Sequence, residues 1–121
     1  MKTDNVIQIK SFAFAIRIVN ACKYLQNDKR EYVLSKQLLK SGTSVGANIE
    51  EAIGGQSKPD FISKLSIAYK EAREAHYWIR LLKATDYLTI EAATSLLVDS
   101  EELCRIIGKI QISAKTSQQI K

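Results

Sequence analysis

The sequence predicts an all-α protein, a single domain over residues 1–121 folded as an antiparallel up-down four-helix bundle. Three observations predict this fold. Apolar residues recur three and four positions apart along four segments, which is the period of one helix face. The chain has one proline and five glycines, so little interrupts these segments. Turns of a few residues separate the segments, and short turns place successive helices antiparallel.

The first helix is predicted over residues 5–25, with Asp4 as its N-cap, because a short carboxylate accepts hydrogen bonds from the free amides of a first turn. Four residues at helical spacing form its expected inward stripe: Ile9, Phe12, Ile16 and Val19. Phe14 and Ile18 lie off that stripe and are apolar too. A helix that is apolar nearly all round must be covered on more than one side.

The second and third helices are predicted over residues 31–53 and 59–85. Gly54 and Gly55 are predicted to end the second helix, since glycine adopts the left-handed conformation at a helix C-terminus without steric cost. Ser57 and Asp60 form a capping box for the third helix. Gly42 and Gly46 lie four residues apart, a spacing that indicates close approach of the second helix to a neighbour.

The fourth helix is predicted over residues 89–112 with Thr89 as its cap. Residues 113–121 lack periodicity and are expected to form a flexible tail.

The first and fourth helices have more apolar surface than a lone bundle would bury, which predicts self-association as a symmetric ring or dimer. The alternative is a monomer with wide apolar stripes. The candidate oligomer interface is Phe14, Ile18, Val98 and Ile106.

Composition limits the cellular setting. No apolar run of about eighteen residues is present, so no membrane partner is expected. The first residues lack the features of a secretory signal. Cys22 and Cys104 lie far apart in sequence, which favours buried free thiols in a reducing cytoplasm over a disulfide or a zinc site. A cytoplasmic location is therefore predicted.

Residues for catalysis are not evident, and we predict a protein that is not an enzyme, with no catalytic residue, metal or cofactor. His76 is the single histidine, and Arg73 precedes it by three residues where a di-iron bundle needs glutamate. The segment from Ser41 to Gly46 lacks the ending of a phosphate-binding loop.

Polar residues at helical spacing on the second and third helices are predicted to form a structural network that fixes helix register, because buried polar groups must pair with one another. The alternative is an acid/base site around Glu51, Glu71 and Glu74. The predicted network consists of Ser44, Asn48, Glu51, Lys64, Lys70, Glu71 and Glu74.

The net charge of +5 is unevenly distributed. Residues 1–30 hold six basic residues against two acidic ones, and residues 86–108 hold one against five. Two interpretations stay open: a basic surface for nucleic acid, or charge complementarity between neighbouring helices or subunits. On the first, the candidate contacts are Lys23, Lys29, Arg30, Lys36, Lys40, Arg73, Arg80 and Lys83.

Three segments resemble one protein family: KSFAFAIRI (10–18), QLLKSGTSVGANIEEA (37–52) and SKPDFISKLSIAYKEAREAHYWIRLL (57–82). The family is the four-helix-bundle proteins encoded in intervening sequences of bacterial large-subunit ribosomal RNA genes. Its members often have a ribosomal-protein-like label, and the group is similar to the accessory protein of diversity-generating retroelements. The resemblance covers about residues 6–110, and His76 stands where a small polar residue is expected.

The resemblance implies a homopentameric, barrel-like ring with a basic surface. For the retroelement members it also implies binding to nucleic acid and to a reverse transcriptase. The family's characteristic residues, interpreted as packing and subunit contacts, correspond to Ser44, Asn48, Glu51, Asp60, Phe61, Lys64, Lys70, Glu71 and Trp78.

We therefore expect a non-enzymatic homo-oligomer that binds RNA or DNA, or acts as a scaffold, through its basic surface. The alternative is an adaptor for a protein partner, such as a reverse transcriptase, with no direct nucleic-acid binding.

Overall fold

Four α-helices form the chain, whose structure is a computed structural model describing the backbone of residues 2–120 and the side chains of residues 6–117. They are α1 (Lys2–Asn27), α2 (Leu34–Ile53), α3 (Lys58–Ala84) and α4 (Ile90–Ile120). The backbone described contains no strand. The predicted all-α fold is confirmed.

Side-chain pairs show how neighbouring helices run. Gln8 lies beside Glu50, near the start of α1 and the end of α2, and Cys22 lies beside Ser35 at the opposite ends of the same two helices. Equivalent pairs join the other neighbours: Lys64–Glu51, Gln111–Ser66 and Lys10–Glu102. The helices are therefore antiparallel in sequence order, and α4 lies beside α1 to close the bundle.

The core face of α1 is not the predicted one. Phe14 and Ile18 are 1% and 0% exposed, whereas Ile9 and Phe12 are 70% and 68% exposed. Both stripes follow the helical period, so periodicity alone did not separate them. The choice comes from α2, where Gly42 provides the space that the Ile18 side chain fills.

The contact between Gly42 and Ile18 is tight. A Cβ atom built on Gly42 would lie 2.7 Å from both Cγ1 and Cγ2 of Ile18. One turn later, a Cβ on Gly46 would lie 3.4 Å from the backbone oxygen of Ser11. The spacing of the two glycines thus serves close packing of α2 against α1, as predicted.

Helix α2 ends before Gly54 as predicted, but Gly54 has a φ of −81° and not the left-handed conformation. The two predicted N-caps of α3 and α4 are present. The hydroxyl of Ser57 accepts from the backbone N–H of Asp60 at 3.2 Å, and that of Thr89 accepts from Ala92 at 3.1 Å. The cap predicted at Asp4 was wrong, because the backbone is already helical from Lys2.

Two other predicted helix limits were wrong. Helix α2 starts at Leu34 and not at residue 31, because Glu31 precedes the helix and caps it. Helix α4 continues to Ile120 and does not end at residue 112. No glycine or proline follows Gly108, Ala114 is buried, and the Ser117 hydroxyl accepts from Lys58 Nζ at 3.0 Å. These contacts explain why helix replaces the expected tail.

Candidate nucleic-acid interface

The eight predicted nucleic-acid contacts all lie on the surface. Lys83 is half-buried and the other seven are exposed. The α1–α2 and α3–α4 turns lie at the same end of the bundle, because successive helices are antiparallel. Most of the candidates lie toward this end, called here the turn end: Lys23, Lys29, Arg30, Lys36, Arg80 and Lys83. Lys40 and Arg73 lie closer to the middle of the bundle.

The turn end also holds acidic residues, so its charge is only moderately positive. Asp28, Glu31, Asp86 and Glu91 accompany the six bases. Glu31 is 9% exposed as a residue, and its carboxylate accepts from backbone N–H groups at the first turn of α2. Its charge therefore faces α2 more than solvent.

Other basic residues face acidic ones on neighbouring helices. Lys10 Nζ lies 3.0 Å from Glu102 Oε1, Lys64 Nζ lies 2.9 Å from Glu51 Oε1, and Arg17 pairs with Asp99. Charge complementarity between helices therefore exists within the chain. Within residues 6–117, none of the eight candidate contacts forms such an ion pair. Charge complementarity between helices of one chain therefore does not account for these eight residues.

Arg30 has an unusual backbone. Its φ is 54°, in the left-handed region that residues with a Cβ seldom occupy. Asp86, in the α3–α4 turn, has a φ of 67°, but aspartate enters this region more readily. Backbone strain of this kind concentrates at functional sites, so the conformation of Arg30 supports its candidacy independently of its charge.

Glu31 holds the start of α2, a role that its sequence position did not reveal. Its carboxylate accepts from the backbone N–H groups of Val33, Leu34 and Ser35 at 3.2, 3.0 and 2.7 Å. Burial acts to raise the pKa of Glu31, but the bonds from Leu34, Ser35 and Val33 outweigh it and lower the pKa below 4.5. The one sequence signal for this capping role was a glutamate just ahead of a segment with helical apolar periodicity.

The predicted polar network is not a single buried network. Ser44 donates to the Lys40 carbonyl, and Asn48 donates to the Ser44 carbonyl at 2.8 Å, so both bond within α2. Lys64 and Glu51 form the pair that joins α2 to α3. These residues are half-buried or exposed, because they lie at the edges of the α2–α3 contact and not inside it.

The remaining network residues belong to α3. Lys70 is exposed, and Glu74 accepts from Trp78 Nε1 at 3.1 Å. Burial, with the nearby charge of Glu74, raises the pKa of Glu71 against the opposing effect of Lys40 and Lys70. The residues of the alternative acid/base site therefore have separate partners: Glu51 pairs with Lys64, and Glu74 with Trp78.

The predicted oligomer interface is only partly on the surface. The prediction was wrong for Phe14 and Ile18, because both are buried within the chain. Ile106 is half-buried against the core. Val98 is 57% exposed. Three residues of α1 that the sequence had assigned to the core are exposed instead, and they are called here the outer stripe: Ile9, Phe12 and Ile16.

The two cysteines are free. Cys22 is buried, donates to the Ser35 carbonyl at 3.3 Å, and has its pKa raised to about 11, first by burial and then by the charge of Glu31. Cys104 is half-buried and not fully buried as expected. His76 Nε2 lies 3.4 Å from Glu101 Oε1.

Among residues whose side chains are described, no group of three or more His, Cys, Asp or Glu is arranged to hold a metal ion. No helix in the described part of the chain is both long and apolar enough to span a membrane.

The sequence and fold match a known family. The sequence profile described as 23S rRNA-intervening sequence protein matches residues 3–109. The chain belongs to this family, as the sequence resemblance predicted. It is also similar to a protein of unknown function from the S23 ribosomal protein family of Bacteroides thetaiotaomicron VPI-5482, whose crystal structure was determined at 1.70 Å resolution.

That protein is 51% identical to this chain, with a TM-score of 0.89. The match covers 90% of this chain and 97% of the other. No curated protein matches the sequence. The further similarity to the retroelement accessory protein stays a prediction.

Proposed function

We propose that this protein is a non-enzymatic, self-associating helical bundle that binds nucleic acid through its exposed basic residues. The observation that supports this most is the division of the bases into two groups. Lys10, Arg17 and Lys64 neutralise acids of neighbouring helices. The eight candidate contacts project from the surface without an ion pair among the residues described, as phosphate-binding residues do.

Self-association would bring several turn ends together and multiply their charge. The outer stripe supports it, because Ile9, Phe12 and Ile16 are 70%, 68% and 49% exposed on one face of α1. An apolar surface of this kind, contiguous along a helix, usually marks a partner site. We propose that a second copy covers the stripe, with a pentameric ring as the expected assembly.

The binding test uses filter retention of RNA and DNA at low and moderate salt. We expect retention at about 50 mM salt and a steep loss toward about 200 mM, because phosphate contacts release counterions. Little sequence preference is expected, since phosphate contacts hold no base information. No retention at the lower salt concentration would remove the proposal.

Two matched triple variants test which bases are used. Lys29→Gln, Arg30→Gln and Lys36→Gln remove three unpaired charges, whereas Lys10→Gln, Arg17→Gln and Lys64→Gln remove three paired ones. The first variant should bind about ten-fold or more weakly, with a salt slope reduced by about three. The affinity and salt slope of the second variant should change much less. Equal losses would show that only net charge matters.

The outer stripe also favours a second candidate, an adaptor whose helix faces bind a protein such as a reverse transcriptase. Pull-down from a cell extract with and without nuclease separates the two functions. A partner that survives nuclease, together with no filter retention, would favour the adaptor.

A further inference from the structure

A groove between α3 and α4 combines positive charge with an exposed aromatic ring. It consists of two cavities, of about 690 and 360 Å³, which share His76 and Glu101 as lining residues. Arg80 and Lys83 line the first cavity, and Arg73 and Arg105 line the second. The two cavities therefore form one continuous depression along the helix pair, here called the α3–α4 groove.

The charge of the groove is positive. Its lining has four Lys or Arg side chains against the acids Glu101 and Asp86. Glu101 lies against His76, at 3.4 Å between Oε1 and Nε2, which directs that carboxylate toward the imidazole. Arg73, Arg80 and Arg105 are exposed and have no ion pair among residues 6–117.

Tyr77 lies between two of these cations. It follows Arg73 by four residues and precedes Arg80 by three, so the three side chains occupy one face of α3 over about 10 Å. The Tyr77 ring is 51% exposed. Its centroid lies 5.1 Å from that of Trp78 in an edge-to-face arrangement, and Trp78 is itself anchored by Glu74. The tyrosine thus has one aromatic neighbour and about half of its surface open to solvent.

We infer that the α3–α4 groove binds single-stranded nucleic acid, with Tyr77 stacking on an unpaired base and Arg73, Arg80, Lys83 and Arg105 contacting phosphates. Alternation of cations with an aromatic ring is the usual chemistry of single-strand binding, because every unpaired base has a face that can stack. In a duplex the bases are already stacked and paired, so Tyr77 has no base to accept. This inference rests on the proposed nucleic-acid function and names its substrate class.

The general spacing of packed helices favours one strand over a duplex in such a groove. Packed helices lie about 8–10 Å apart, so the depression between two of them accommodates one strand more readily than a duplex.

Fluorescence anisotropy with labelled oligouridylate and oligothymidylate of about twelve nucleotides, and a duplex of the same length, tests the inference. The wild-type protein should bind the single strands more tightly. Tyr77→Leu should weaken single-strand binding by about five-fold or more and leave the duplex affinity within about two-fold, because it removes only stacking. Tyr77→Phe keeps the ring and should bind like the wild type.

Two controls accompany these variants. Tyr32→Leu removes a second tyrosine, 50% exposed outside the groove, and should not change the affinity. Arg80→Gln should lower the single-strand salt slope by about 0.7, because the variant neutralises one phosphate fewer than the wild type. Circular dichroism establishes that each variant is folded.

The outcomes distinguish failure of the proposed nucleic-acid function from failure of the α3–α4 groove as the binding site. A wild-type protein that binds neither single strand nor duplex overturns the proposed function itself. Binding that is equal for both forms and insensitive to Tyr77→Leu overturns the groove while leaving nucleic-acid binding intact.

Discussion

The Ile18 side chain occupies the space that a side chain at Gly42 would need, with Cγ1 and Cγ2 both 2.7 Å from the position of a Cβ atom. This contact sets how closely α1 and α2 pack and which face of α1 is buried. Because burying Ile18 turns Phe12 to solvent, the glycine at position 42 of α2 also determines that the outer stripe is exposed.

Gly42→Ala should therefore destabilise the fold although alanine favours helices. Overpacking of a close contact costs about 1–3 kcal/mol. Gly108→Ala is the matched control, since a Cβ there meets nothing within 4 Å. It should stabilise the protein by about 0.5–1 kcal/mol. Urea denaturation of both variants at one protein concentration measures the difference, and a Gly42→Ala variant as stable as the wild type would contradict the contact.

Glu31 predicts a specific pH dependence. Because its folded pKa lies below the ordinary value of 4.5, its contribution to stability is present above that value and is lost as pH falls through the folded pKa. Glu31→Ala leaves the backbone N–H groups of Val33, Leu34 and Ser35 without this acceptor, which should cost about 1–3 kcal/mol at neutral pH.

The measurement is the free energy of unfolding of the wild type and Glu31→Ala from pH 7 to pH 3. The difference between them should shrink only below about pH 4.5. A constant difference across the whole range would show that the charge of the carboxylate is not involved.

Arg30 should show opposite effects on stability and binding. Arg30→Gly relieves a left-handed backbone at φ 54° and should stabilise the fold by about 1 kcal/mol, while removing one candidate phosphate contact. Lys29→Gly removes the same charge, and its φ is not positive. It should weaken binding similarly but not stabilise the protein. Thermal unfolding and filter binding measure the two effects, and unchanged stability of Arg30→Gly would indicate no strain.

Phe12 and Phe14 should respond differently to the same change. Phe14→Ala creates a core cavity and should cost about 3–5 kcal/mol of stability. Phe12→Ala removes a ring that is 68% exposed, so it should leave the fold of each subunit intact and weaken self-association by about ten-fold or more. Light scattering at micromolar concentration gives the mass. A wild-type monomer, or an unchanged mass for Phe12→Ala, would remove the outer stripe as an interface.

Local signals were enough to predict most of the fold. Ser57 and Thr89 accept from amides three residues later within the same turn, so their capping roles do not depend on the rest of the molecule. The Gly42–Gly46 spacing similarly required a close neighbour. Glu31 was misplaced by one turn, because a glutamate can begin a helix or cap it and both patterns look alike in sequence.

The candidate site was harder to predict. The charges of Lys10 and Arg17 look like those of Lys29 and Arg30 in sequence, and only the packing of α1 against α4 places the first two beside Glu102 and Asp99. The α3–α4 groove was equally hard to predict, because Arg73 of α3 and Arg105 of α4 line one cavity only once the two helices are packed together.

The sequence by itself determined four helices, the caps at Ser57 and Thr89, the antiparallel order and the family, because these depend on residues close together along the chain. The tertiary structure alone decided which apolar stripe of α1 is buried and which bases are neutralised. The physical reason is that two stripes of equal period have equal local preference, and the close approach of α2 at Gly42 and Gly46 makes the face with Ile18 and Ser11 the better fit.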